Sequence, residues 1–206
     1  MVKKRTPRIA RLLRKLVQHQ RSKLFEFFIH SFNLSKETIC LDVGGITEGF
    51  ESLSKLCRAI SVNLEVIKRV NGWDLIIADG RYLPFKGKSI DIIMSNALLE
   101  HVTEGREKLV QEVKRVSKGN LFMSVPYFYS FFEPHYLLPF FQFVPESIKR
   151  FLLFKLGLKI GWMSKENYAE IHLFKKSQLK ELFPEAQIYT LKVYLLPVNL
   201  IALRKI

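Results

Sequence analysis

Apolar residues recur along this chain in two rhythms, short unbroken runs and longer stretches with helical spacing. The run Ile39-Cys-Leu-Asp-Val43 leads straight into Gly44-Gly45, and similar runs occupy 58–64, 74–80, 89–96 and 120–125. Each is bounded by Gly, Pro, Asn or Asp, which marks it as a strand. Runs that are apolar throughout belong to strands covered on both faces, as in a parallel sheet. Residues 186–194 alternate instead, and 199–204 supply a last strand after Pro197, with a turn over 195–198 that pairs the final two strands antiparallel. Helical spacing predicts helices over 48–57, 104–116 (Leu109, Val110, Val113 and Val116 inward), 146–156 and 177–182, the last with Ser177 as its N-cap. Strands that alternate with helices argue for a mainly parallel α/β sheet of seven strands, with ligands at the strands' carboxyl ends.

Two segments stand outside that alternation. Residues 1–23 hold nine Lys or Arg and no acid, while Ile9, Leu12, Leu13, Leu16 and Val17 recur at helical spacing. This predicts a basic amphipathic helix that packs on the domain or lies on an anionic membrane. A second helix over 23–32 places Phe25, Phe28, Ile29 and Phe32 on one face. Residues 126–163 are crowded with aromatics and prolines that the sheet does not require. A segment of this kind is either a functional lid or a small extra layer on the core. The chain thus reads as one domain of four parts: N-terminal helices 1–35, a ligand-binding core 36–125, an aromatic insertion 126–163 and C-terminal strands 164–206.

Composition narrows the function classes. The net charge of +14 favours polyanions, either nucleic acid or an anionic membrane surface. The N-terminus lacks the pattern of a secretory leader, and no apolar run reaches the roughly 18 residues of a membrane span. Cys40 and Cys57 fall in core elements without a CxxC and read as buried thiols in a reducing cytoplasm. The expected location is cytoplasmic, with peripheral membrane contact through residues 1–23. No metal site is expected.

The strand–Gly44-Gly45–helix corner lets a ligand approach the backbone, because no Cβ stands in the way. Asp42 ends the first strand, Asn63 closes the second, Asp79-Gly80 the third and Asn96 the fourth. Taken in order, Cys40-Leu-Asp-Val-Gly-Gly45, Ala78-Asp-Gly-Arg-Tyr-Leu-Pro-Phe85, Ser89-Ile-Asp-Ile-Ile-Met-Ser-Asn-Ala-Leu-Leu-Glu-His-Val102 and Glu112-Val-Lys-Arg-Val116 resemble the motifs of class I S-adenosylmethionine-dependent methyltransferases. The resemblance is to the small members related to ubiquinone and menaquinone biosynthesis methyltransferases.

That resemblance implies a Rossmann-like seven-stranded sheet with helices on both faces and an antiparallel last strand. It implies S-adenosylmethionine as cofactor, held by Asp42, Gly44, Gly45, Asn63, Asp79, Gly80 and Asn96, with Leu83 and Phe85 walling the adenine. Two positions depart from the pattern. Ile46 and Glu48 stand where the family has glycines, and Asn63 stands where it has an acid for the ribose, a role Glu65 can fill. His101 and His135 are the candidate catalytic bases, with His172 behind them. The aromatic insertion suggests a small-molecule, lipid-linked or glycan acceptor. The alternatives are an RNA methyltransferase and a non-catalytic binding protein of the same fold. No RNA-binding module is visible, and strand four ends in Ser95-Asn-Ala-Leu rather than an Asn-Pro-Pro-Tyr-type motif.

Overall fold

The structure, a computed structural model, describes residues 8–45, 50–65, 72–133, 135–136, 138–158, 160–161, 163–165, 168 and 170–206, and for residues 8–14 the backbone alone. A long helix α1 (Arg8–Ser31) precedes strands β1 (Ile39–Val43), β2 (Arg58–Asn63), β3 (Trp73–Ile77) and β4 (Ile90–Asn96). Helix α2 (Arg106–Val116) leads into β5 (Ser117–Pro126). The insertion holds a two-residue strand pair, β6 (Phe132–Glu133) and β7 (Leu138–Pro139), and helix α3 (Glu146–Arg150). Helix α4 (Lys176–Leu182), β8 (Gln187–Val193) and β9 (Leu196–Arg204) complete the chain.

The seven-stranded sheet has the order β3-β2-β1-β4-β5-β9-β8. All pairings among β1 to β5 are parallel, and β9 runs antiparallel to both β5 and β8. Alternate residues of each strand feed two cores. Cys40, Ile92, Met94, Phe122 and Ile201 face α1, where Leu24 and Phe28, with Phe32 just past the helix end, form one buried stripe four residues apart. Leu41, Val43, Ile93, Leu121 and Met123 face α2 and α4. The switch from β1 to β4 about the centre of the sheet opens a crevice at the carboxyl ends of the parallel strands.

Several expected boundaries differ. The two expected N-terminal helices are one, since no Gly or Pro interrupts the chain between Arg8 and Ser31 and the apolar stripe carries on through Lys23. The helix expected over 48–57 is a 3-10 turn, Glu51–Lys55; residues 46–49 lie outside the described residues. The final turn is tighter than expected: Tyr194 and Leu195 both take positive φ (49° and 68°), and β9 begins at Leu196. Pro197 lies within β9 at a register shift, before pairing with β5 starts at Asn199, so its missing N–H leaves no ladder bond unmade there. The helix expected over 146–156 is α3 followed by one π-helical turn, Phe151–Lys155. Helix α4 is capped by Lys175, whose N–H donates to Gln178 Oε1 at 2.8 Å, so Ser177 is inside the helix rather than its cap.

The insertion has its own small core of Tyr136, Phe141, Leu153 and Met163. Gly161 lies so close to the 135–136 backbone that a Cβ there would stand 2.6 Å from the His135 carbonyl oxygen. The segment is thereby closed on itself, and its His135 ring meets His101 just beyond β4.

Candidate functional site

Two cavities meet at the carboxyl ends of the strands. The larger, about 360 Å³, is walled by Val43 and Gly44 after β1, Asn63 and Leu64 after β2, Asp79, Gly80 and Arg81 after β3, and Leu98 and His101 after β4. Its glycines are set by packing as well as by access. Gly44 has φ +72°, and a Cβ there would lie 2.6 Å from Leu98 Cδ1. A Cβ on Gly80 would lie 2.6 Å from Leu109 Cδ1 of α2. At Gly45 the space of a Cβ is already filled by the Asp42 carboxylate.

The glycine turn is braced from below. Its Gly44 N–H donates to the Val62 carbonyl at 2.8 Å, and the Ser95 hydroxyl donates to the Val43 carbonyl at 2.8 Å. The Ser61 hydroxyl (3.2 Å) and the Asn63 amide (3.4 Å) both donate to the Gly45 carbonyl. Asn63 Oδ1 in turn accepts from the Leu64 N–H at 2.8 Å. An acid at position 63 has no proton to give Gly45, so asparagine serves here as a strut for the turn. Asp42 is buried, its Oδ1 has no hydrogen-bond partner among the described residues, and burial pushes its pKa up to about 7. Asp79 is the opposite case. Both its oxygens accept from the Arg81 guanidinium (2.7–3.1 Å), Oδ1 also accepts the Arg81 N–H at 2.9 Å, and the carboxyl is held below its usual range.

The turn after Asp79 is fastened to α2. The Glu112 carboxylate accepts from the Leu83 N–H (2.9 Å) and from Arg115 Nε and Nη2 (both 2.7 Å). Arg115 donates onward to the Phe85 and Leu83 carbonyls at 2.9 and 3.0 Å. Leu83 and Phe85 themselves pack into the α2-side core rather than lining the cavity.

The second cavity, about 190 Å³, lies under α1 and is lined by Asn96, Glu100, Pro126, His135 and Asn199, with Gln20 and Arg21 above. Gln20 donates to Asn199, which donates to the Ser124 hydroxyl at 3.0 Å. At the boundary between the cavities stand three side chains. The imidazoles of His101 and His135 meet edge to face at 5.3 Å. Each offers a nitrogen within 4.8 Å of the other's and of a Glu100 carboxylate oxygen. His101 as a residue is exposed, but its ring's burial and the neighbouring His135 push its pKa down to about 4, against the pull of Glu133. Glu100 is fully buried, neither of its oxygens has a hydrogen-bond partner among the described residues, and desolvation pushes its pKa up to about 8. Glu133, buried at the end of β6, accepts from His135 Nδ1 at 2.9 Å and from the His135 N–H at 2.8 Å. It therefore fixes both the ring and the backbone of that histidine.

Of the residues expected from sequence, Gly44, Asn63, Asp79, Gly80 and His101 share the larger cavity, while Asn96 and His135 line the second. Asp42 and Gly45 are buried outside both linings, and Glu65 is exposed and lines neither cavity. Ile46 and Glu48 lie outside the described residues. His172 lines a separate hollow with Glu133 and Tyr136, and its N–H donates to the Glu100 carbonyl at 3.0 Å. Glu100, Glu133, Ser61 and the Glu112–Arg115 clamp were not singled out by sequence. The available signals were a carboxylate inside the apolar Leu98-Leu-Glu-His101 and an acid two residues before His135.

Residues 41–123 match the family described as "Methyltransferase domain". The matched segment runs from β1 to β5 and includes helix α2. Among solved structures, the magnesium protoporphyrin IX methyltransferase from Synechocystis PCC 6803 with bound SAH is similar over 99 % of this chain and 90 % of its own, at 13 % identity and a TM-score of 0.59. A SAM-dependent methyltransferase from Methanosarcina mazei is similar over 86 % and 96 %, at 19 % identity and a TM-score of 0.56. One from Aquifex aeolicus covers 93 % and 96 %, at 13 % identity and a TM-score of 0.53. At such identities the likeness is one of fold. It extends the methyltransferase fold to the N-terminal helix and the last two strands, beyond the matched segment. No curated protein sequence matches the chain.

Proposed function

We propose that the protein transfers a methyl group from S-adenosylmethionine to a small-molecule, lipid-linked or glycan acceptor. The observation that carries this reading is the meeting of two cavities across His101, His135 and Glu100, the larger of them walled by the first three motif segments of the methyltransferase domain.

The residues present fit the cofactor. A cavity of about 360 Å³ is within the range of small-molecule sites. Gly44 and Gly80 keep its wall at the level of the backbone, and the unpartnered Asp42 Oδ1 stands behind Gly45. Asp79 and Gly80 would hold the adenine edge, Asn63 the ribose, and Gly44 and Gly45 the amino-acid end. The bound cofactor supplies an activated methyl on a sulfonium, so the protein's own work is alignment. His101 and His135 face the acceptor's reacting group. Glu133 holds His135 by Nδ1, which leaves Nε2 to act on that group, and His101 is a neutral imidazole at physiological pH.

The second cavity shares Val17 and Gln20 with an apolar groove of about 120 Å³ lined by Leu16, Phe131, Phe132, Tyr194, Leu196 and Pro197. A polar head in the former with an apolar tail in the latter suits a lipid-linked acceptor. Tyr194 and Leu195 at the mouth of that groove are 71 % and 89 % exposed, which suits contact with a bilayer beside the basic α1. Among the described residues no helix is long and apolar enough to cross a membrane.

A non-catalytic binding protein is favoured by one observation: the acceptors on Asp79 and Asn63 are already engaged by Arg81 and Leu64, and the Asn63 amide donates to the Gly45 carbonyl. Calorimetric titration with S-adenosylmethionine and S-adenosylhomocysteine separates the readings. Saturable binding that falls at least tenfold in Asp79→Ala is expected; well-folded wild-type protein that binds neither ligand would sink the transferase reading.

A further inference from the structure

We propose that Glu100, His101 and His135 hold a divalent cation of the zinc class, between the two cavities. No metal site is expected from the sequence, because the ligands come from two segments that meet only in the fold. Two imidazoles and one carboxylate are a recurrent ligand set of catalytic zinc, which takes three protein ligands and keeps a fourth position open.

Four observations converge on the site. The three ligand atoms lie within 4.8 Å of one another. Around zinc, with bonds of about 2.0–2.1 Å, tetrahedral ligand atoms stand about 3.4 Å apart. Side-chain rotations close that difference. The Glu100 carboxylate is fully buried with neither oxygen hydrogen-bonded among the described residues, a costly arrangement that a coordinated cation relieves. Glu133 binds His135 Nδ1 at 2.9 Å, the carboxylate–histidine support found behind metal-bound imidazoles, and so presents Nε2 as the ligand. The backbone around the ligands is also pinned. The Glu100 carbonyl accepts the His172 N–H at 3.0 Å, and Gly161 packs on the carbonyl of His135.

The open position faces the boundary where the acceptor's reacting group would lie, since His101 lines the larger cavity and Glu100 and His135 the second. With Nε2 taken up as a ligand the imidazoles no longer serve as bases; the cation instead would bind an acceptor hydroxyl as its fourth ligand and ionise it, the proton leaving to water. Metal binding itself does not depend on methyl transfer and is tested without it.

The test uses the full, untagged chain, dialysed against a chelator and titrated with Zn²⁺ by calorimetry and with Co²⁺ by visible absorption. One equivalent should bind, with the intense Co²⁺ bands of a four-coordinate site. His101→Ala, at an exposed position, should lower affinity at least tenfold without unfolding the protein, Glu100→Gln likewise, and Glu133→Gln by about 10–100-fold. No stoichiometric binding by wild type, or binding unchanged in His101→Ala and Glu100→Gln, overturns the proposal. Cofactor titration of the same chelated protein is scored separately: cofactor binding without Zn²⁺ binding removes the metal site alone, and the converse removes the transferase reading alone.

Discussion

Asp42 and Gly45 show how much one contact can hide. That a carboxylate ends β1 is plain in Leu41-Asp-Val-Gly44, and the two glycines are plain as a turn. That the carboxylate fills the space of the Gly45 Cβ is a matter of three dimensions. Asn63 is similar: it departs from the acid expected at the end of β2, and only the structure shows its amide bracing the Gly45 carbonyl. Burial raises the Asp42 pKa to about 7, so between about pH 4 and 7 the folded protein keeps a proton that the unfolded chain has lost. The unfolded state binds fewer protons there, and this group's contribution to stability therefore falls as pH rises through that window. Asp42→Asn removes the dependence. Thermal melts should show little difference from wild type near pH 4 and a more stable variant at pH 8, by about 2–4 kcal/mol. A variant equally or less stable at pH 8 would show that the carboxylate is solvated or paired.

Among the elements, the strands were the easiest to read and the helix ends the hardest. Parallel strands covered on both faces are apolar at nearly every position, so β1, β2 and β4 stand out to within a residue, while β5 starts three residues before the expected Asn120. Helix α1 reads as two helices meeting at Lys23 because its character shifts from basic to aromatic, although the stripe that packs on the sheet does not break. The turn over 81–85 was legible as a motif, but its fastening was not, because Glu112 lies 29 positions from its partner Leu83. Glu112→Ala leaves the buried Leu83 N–H and the Arg115 guanidinium without that carboxylate. The expected loss is about 1–3 kcal/mol in denaturant titration. Cofactor binding should weaken with it, since the turn carries Arg81 at one end; an unchanged midpoint would mean that the turn is held by packing alone.

At the scale of the molecule, the mainly parallel sheet and a crevice at its carboxyl edge followed from the strand–helix alternation, although the strand order did not. The pairing of Glu100 with His135 did not, for it needs the insertion folded back beside β4. The insertion's aromatics were legible as an added element, and its small separate core shows how it holds its shape. Among the described residues the most exposed large apolar side chain is that of Leu195, at the tip of the β8–β9 turn next to the α1 groove. If this face meets a bilayer, Leu195→Ser should reduce flotation with anionic vesicles about tenfold while leaving the melting temperature unchanged. Binding unaffected by the substitution, or equal on neutral vesicles, would rule that face out.

The place of β9 between β5 and β8 has a consequence for how the chain is made. On a ribosome, β1 to β5 can pair as soon as residue 126 has emerged. β8 is then synthesised some sixty residues later with no neighbour to join, because among the described residues its only partner in the sheet is β9. Until that strand arrives, the outer edge of β5 stays an open row of amides and carbonyls flanked by Phe122 and Met123. Such an edge is what chaperones bind and what draws nascent chains together. The last strand thus acts as a closing bolt, and a chain halted before it should be held by chaperones or aggregate rather than persist as a smaller folded domain.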